Sequence, residues 1–156
     1  MTRPSPELRK LDYFVGVWHS EGELKPGPLG PGGKLIMTEH NEWMDGGFFL
    51  VLRSEFTSPL GSGSGTAYMG YDAGRKLYTY DEFNSTGEAQ HSVGTFDGDS
   101  LMWGGEQHLA DKVAKTRFVM NMLSPDAYAF SFCVSQDGND WNTVMEGKAT
   151  RLITSG

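Results

Sequence analysis

The chain has 156 residues, with 13 Lys and Arg against 20 Asp and Glu and a formal charge of −7 at pH 7. That balance repels phosphate backbones and argues against nucleic acid as a partner. The single cysteine, Cys133, excludes an intrachain disulfide and a cysteine-based metal site, and no apolar run approaches the length of a membrane-spanning helix.

A length near 150 residues predicts one domain, over 1–156. The opening segment MTRPSPELRK has no apolar stretch of the kind a secretory signal carries, so a soluble cytoplasmic domain is expected. Nine Phe, six Tyr and four Trp argue against disorder.

In chain order, one helix comes first. Ser5 is a suitable N-cap, Pro6 suits the first helical position, and Leu8, Leu11 and Val15 recur at helical spacing before Gly16 stops the run. Strand patterns follow. Val17–Leu24 alternates, with Trp18 on one face and His19, Glu21 and Glu23 on the other. The segment 25–33 holds three prolines and four glycines and reads as a long loop. Lys34–Trp43 puts Leu35, Met37, Glu39, Asn41 and Trp43 on one face, and Asp45-Gly46-Gly47 signals a hairpin into Phe48–Thr57. SPLGSGSG, 58–65, reads as a second loop.

Thereafter short strands recur about every ten residues with turn signals between them: Thr66–Tyr71, Lys76–Asn84, Ala89–Phe96, Ser100–Glu106, Lys115–Leu123, Tyr128–Ser135 and Trp141–Ile153. Ten strands in a meander predict an all-β fold that hides its edges by closing into an antiparallel barrel. Ten strands leave room for an internal cavity. A two-sheet sandwich would need longer crossover connections than most of these turns provide.

The helix, Gly16-Val17-Trp18 opening the first strand, and Arg151 in the last strand together resemble the lipocalin and fatty-acid-binding (calycin) barrels. That resemblance implies that Trp18 closes one end of the barrel with Arg151 over its ring. The chain is also similar to an uncharacterised bacterial group with a lipocalin-like barrel, through FVGVWHSEGEL, the Trp43…Gly46-Gly47-Phe48 spacing and MGYD at 69–72. This implies fold and almost nothing about activity.

The start of the chain further resembles the haem-binding nitrobindin barrels, which ligate haem through a histidine near the C-terminus. Here no histidine follows His108, so no cofactor is expected, and haem stands only as an alternative. The histidines His19, His40, His91 and His108 form no short metal-binding pair, so no metal is expected either. Neither glycine-rich loop matches a phosphate-binding loop, and no nucleophile elbow is present.

The remaining candidates are polar residues on strands, at positions that could face the interior: Glu39, Asn41, Arg53, Tyr80 with Glu82, His91 and Arg117. Buried charges must be paired or must face a cavity. An inward Glu39, Arg53 and Arg117 would suit a ligand carboxylate or carbonyl. The abundant aromatics and eight Met favour a permissive pocket for a small apolar or amphipathic ligand. Acid–base catalysis by Glu39, His91 and Arg117, of isomerase or cyclase type, is the alternative. Apolar residues on both faces of Phe48–Val51 and of Leu101-Met102-Trp103 predict an outer apolar patch and a possible homodimer.

Overall fold

A computed structural model of the chain describes residues 4–27, 30–109 and 112–152. Helix α1, Pro6–Arg9, starts at Ser5, whose side chain accepts from the Leu8 N–H, and it tightens into a 3₁₀ turn over Lys10–Phe14. The strands are β1 Gly16–Leu24, β2 Gly33–Trp43, β3 Leu50–Ser58, β4 Gly61–Asp72, β5 Leu77–Asn84, β6 Ala89–Asp97, β7 Ser100–Leu109, β8 Lys112–Ser124, β9 Ala127–Ser135 and β10 Asn142–Arg151. Each pairs antiparallel with its sequence neighbour, and β1 pairs with β10 to close a ten-stranded barrel. Closure removes the free edges that an open meander would expose.

One expected loop is largely strand. SPLGSGSG turns only at Pro59-Leu60, and β4 is already paired from Gly61, with Thr57 opposite Ser62 and Phe56 opposite Gly63. The glycine is what lets Phe56 lie there: a Cβ on Gly63 would stand 2.7 Å from Phe56 Cζ. The last predicted strand ends at Arg151, and Ile153 lies outside the described residues.

The helix and the 3₁₀ turn plug one end. Leu8, Leu11 and Phe14 are buried against Trp18, Leu50, Met69, Leu101 and Tyr128. Trp18 and Arg151 are cross-strand partners, and the guanidinium lies 4.5 Å from the indole centre. The Arg151 fork also donates to Asp126 at 2.9 Å and to the carbonyls of Val15, Tyr13 and Pro125, so one side chain ties the plug, β1 and the β8–β9 turn together. Further bonds hold the plug down. Trp18 Nε1 donates to the Phe14 carbonyl at 2.9 Å, Trp43 Nε1 to Asp12 at 2.7 Å, and the Tyr78 hydroxyl to the Glu7 carbonyl at 2.5 Å. Gly16 begins β1 at φ +116°, where Arg151 Nη1 would stand 3.2 Å from a Cβ.

The parity of β7 settles one expectation about the outer face. Leu101 and Trp103 point inward and are buried, and only Met102, 42% exposed, is left of that trio for a partner. Phe48 and Phe49 are exposed beside the plugged end. Among the described residues, no helix is long and apolar enough to cross a membrane.

Candidate functional site

Side chains alternate between wall and solvent along each strand, so register decides which residues line the interior. At the plugged end the inward layer is sealed: Leu50, Met69 and Leu101 have almost no accessible surface. Further from the plug the inward residues are Met37 and Glu39 on β2, Ser54 and Phe56 on β3, Tyr80 and Glu82 on β5, Phe118 on β8, Phe132 on β9 and Met145 on β10. All of these keep accessible surface within the barrel wall, whereas Leu35, Ser92, Ala114 and Thr116 on the same inward face are buried. Part of the interior lining beyond the sealed layer is therefore solvent-accessible.

The aromatic part of this lining forms two groups of touching rings, which adjoin on the neighbouring strands β7 and β8. Tyr80 lies 5.5 Å from Trp103 between ring centres, Phe118 stacks on Phe130 at 5.8 Å, and Phe118 contacts Phe132 at 6.4 Å. Glycines opposite these rings make the room. A Cβ on Gly94 would stand 2.6 Å from Trp103 Cε3, and one on Gly147 would stand 2.7 Å from Phe130 Cζ.

The polar part is acidic. Asn41, 5% exposed, donates from Nδ2 to the Phe14 carbonyl at 3.0 Å and to Glu39 Oε2 at 3.2 Å. Its Oδ1 is buried without a donor. Burial pushes the Glu39 carboxyl above the ordinary range. The Asn41 hydrogen bond partly opposes this, and the Glu82 carboxyl adds to it. Glu82 is raised mainly by burial and further by Glu88. The Tyr80 and Tyr128 hydroxyls are held well above their usual range by burial first, then by carboxyls that include Glu39. Cross-strand partners run in one line from Asn41 through Leu52 and Ala67 to Glu82, with Tyr80 two residues from Glu82 on the same face.

Three expected lining residues stand outside. Arg53 alternates with inward Leu52 and Ser54; its side chain is 58% exposed and meets Glu42 at 3.3 Å. His91 lies between inward Gln90 and Ser92; its side chain is also 58% exposed, and Nδ1 is 2.6 Å from Asp81. Arg117 lies between inward Thr116 and Phe118 and packs its guanidinium 4.1 Å from the Trp141 ring. Of the sequence candidates, the structure brings together Glu39, Asn41, Tyr80 and Glu82. It does not assemble Glu39, His91 and Arg117 into an acid–base set, nor Arg53 and Arg117 into an anion site.

Tyr128 joins the inner group. The signal for Glu82 was its even spacing from Tyr78 and Tyr80; Tyr128 shares the alternation of Phe130 and Phe132. Among the described residues, His19, His40, His91 and His108 all stand on the outward parity of their strands, so no imidazole lines the interior. No group of three or more His, Cys, Asp or Glu among the described residues is arranged to hold a metal ion.

Fold and interior together define a plugged ten-stranded β-barrel with an aromatic, carboxyl-bearing inner wall. The chain belongs to the family described as "Protein of unknown function (DUF1579)", which it matches over residues 3–151. No curated protein matches its sequence. Among solved structures it is similar to Rv2717c from M. tuberculosis, at TM-score 0.68 and 15% identity, over 96% of this chain and 99% of that one. It is also similar to EF1p2_mFAP2b, solved bound to DFHBI, at TM-score 0.50 and 12% identity, over 93% of this chain and 98% of that one. At these identities the likeness is one of fold.

Proposed function

We propose that this protein binds a small apolar or amphipathic molecule inside the barrel. The observation that carries the reading is the accessible surface that part of the inner lining keeps beyond the sealed layer. Next to the plug the inward side chains are sealed, and above it Glu39, Tyr80, Glu82, Phe118 and Phe132 all keep accessible surface inside the wall. Stability alone favours filling such a space, because interiors pack close to crystal density. Apolar walls with a few placed polar groups are the usual form of a small-molecule site. That a barrel of similar fold is solved bound to DFHBI supports ligand binding as a use of this architecture.

Native mass spectrometry of protein purified from its own host, paired with thermal shifts across a panel of lipids and small aromatic compounds, tests the reading. A reproducible bound species, or a compound that raises Tm, is the expected result. Bare protein with no shift across the panel would overturn it.

A further inference from the structure

Resting on that reading, we propose that the interior selects an aromatic or amphipathic molecule bearing an ammonium group, held by the carboxylates of Glu39 and Glu82 against the aromatic wall. Three observations support the choice of charge.

The first is the charge inventory. Two carboxyls, Glu39 and Glu82, face the interior, and among the described residues neither has a cationic side chain within salt-bridge distance; Lys112, on the inward parity of β8, is exposed at the start of that strand, away from the plug. Arg151 itself is engaged with Asp126, with backbone carbonyls and with the Trp18 ring. Carboxylates enclosed by protein are stable only when a partner compensates them, and this chain supplies Glu39 with one side-chain donor, Asn41 Nδ2.

The second is an orphaned acceptor. Asn41 stands on the same inward face as Glu39, two residues away, and its buried Oδ1 has no donor. Asn41 Nδ2 donates to Glu39, so Glu39 acts as an acceptor there, and the unmet need beside it is also for a donor. An ammonium offers three donors and no acceptor. A ligand carboxylate or carbonyl would add a further acceptor to a group already short of donors.

The third is the wall. Tyr80, Trp103, Phe118, Phe130 and Phe132 present rings to the interior, and ring faces attract cations. The net charge of −7 adds attraction at longer range.

The test compares three probes of nearly one shape: protonated tryptamine, neutral 3-ethylindole and anionic indole-3-propionate, titrated calorimetrically into the whole protein at neutral pH. Tryptamine is expected to bind about tenfold more tightly than 3-ethylindole, with indole-3-propionate weakest. Glu39→Gln and Glu82→Gln, each shown folded by circular dichroism, are expected to erase most of the tryptamine preference by weakening tryptamine far more than 3-ethylindole. Equal or tighter binding of the neutral or anionic probe overturns the charge assignment and leaves interior binding standing. A tryptamine preference that both variants retain also overturns it. Absence of binding by all three, together with a silent panel in the preceding experiment, overturns both readings. The wild-type comparison decides the matter even if a variant fails to fold.

Discussion

Replacing Glu39 with Gln should stabilise the protein at neutral pH and leave it unchanged in acid. Burial holds the Glu39 carboxyl above its ordinary range, and Glu82 on β5 repels it further. The other titratable groups coupled to it, Tyr80 on β5 and Tyr128 on β9, stay neutral throughout this range. The folded chain therefore keeps a proton on Glu39 at pH values where the unfolded chain has released it. Stability is then greatest while both states are protonated. It falls as pH rises from the ordinary carboxyl range through the raised folded value, and stays low above it. Each unit of upward displacement is worth about 1.4 kcal/mol, and about 2–4 °C of Tm per kcal/mol at this length. Gln keeps an acceptor for Asn41 Nδ2 and removes the charge. Urea unfolding across a pH series should show the two proteins converging in acid and the variant ahead at neutral pH. Its residual slope would come mainly from Glu82, which is raised in the same way. A variant curve parallel to the wild type at every pH would refute the reasoning, because it would mean that Glu39 is not held in an environment hostile to its charge.

Arg151→Lys keeps a charge for Asp126 but loses the planar fork that reaches three carbonyls and covers Trp18. Chemical denaturation should show a loss of about 2–4 kcal/mol, and a loss below about 0.5 would contradict the clamp. Gly147→Ala places a Cβ on the Glu21 carbonyl and 2.7 Å from Phe130 Cζ, and should lower stability by about 1–3 kcal/mol in the same assay. The alanine variants of Arg53, His91 and Arg117 should bind any interior probe as the wild type does, since all three side chains lie on the outer face. A marked loss of affinity in any of them would place that residue in the site after all.

Hydrophobic alternation was enough to read the strands and the turns between them, and Gly16, Trp18 and Arg151 were enough to read the plugged end. The inner polar group was legible only in part, because parity needs an apolar reference on each strand. On β2, Leu35, Met37 and Trp43 supply one, and Glu39 and Asn41 follow it inward. On β3, Leu50, Val51 and Leu52 are all buried and give no contrast, so Arg53 could be placed only through the pairing of Leu52 with Asn41. On β6, the inward residues Gln90 and Ser92 are themselves polar, and nothing in the sequence marks His91 as the outward one. Arg117 is held outside by Trp141, from the connection between β9 and β10, a contact that no local pattern encodes. The run 58–65 was misread because its glycines serve close strand approach against Phe56 and Ser54 as well as turning.

A crystal structure of the protein soaked with 3-ethylindole tests the hollow interior most directly, since that probe is uncharged and stands apart from the choice of ligand charge. The account predicts density for the indole inside the barrel, bounded by Tyr80, Phe118 and Phe132, with the Trp18–Arg151 plug unchanged. An interior filled by Met37, Phe56, Phe118 and Met145 in collapsed rotamers, with no ligand density inside the wall, would contradict it.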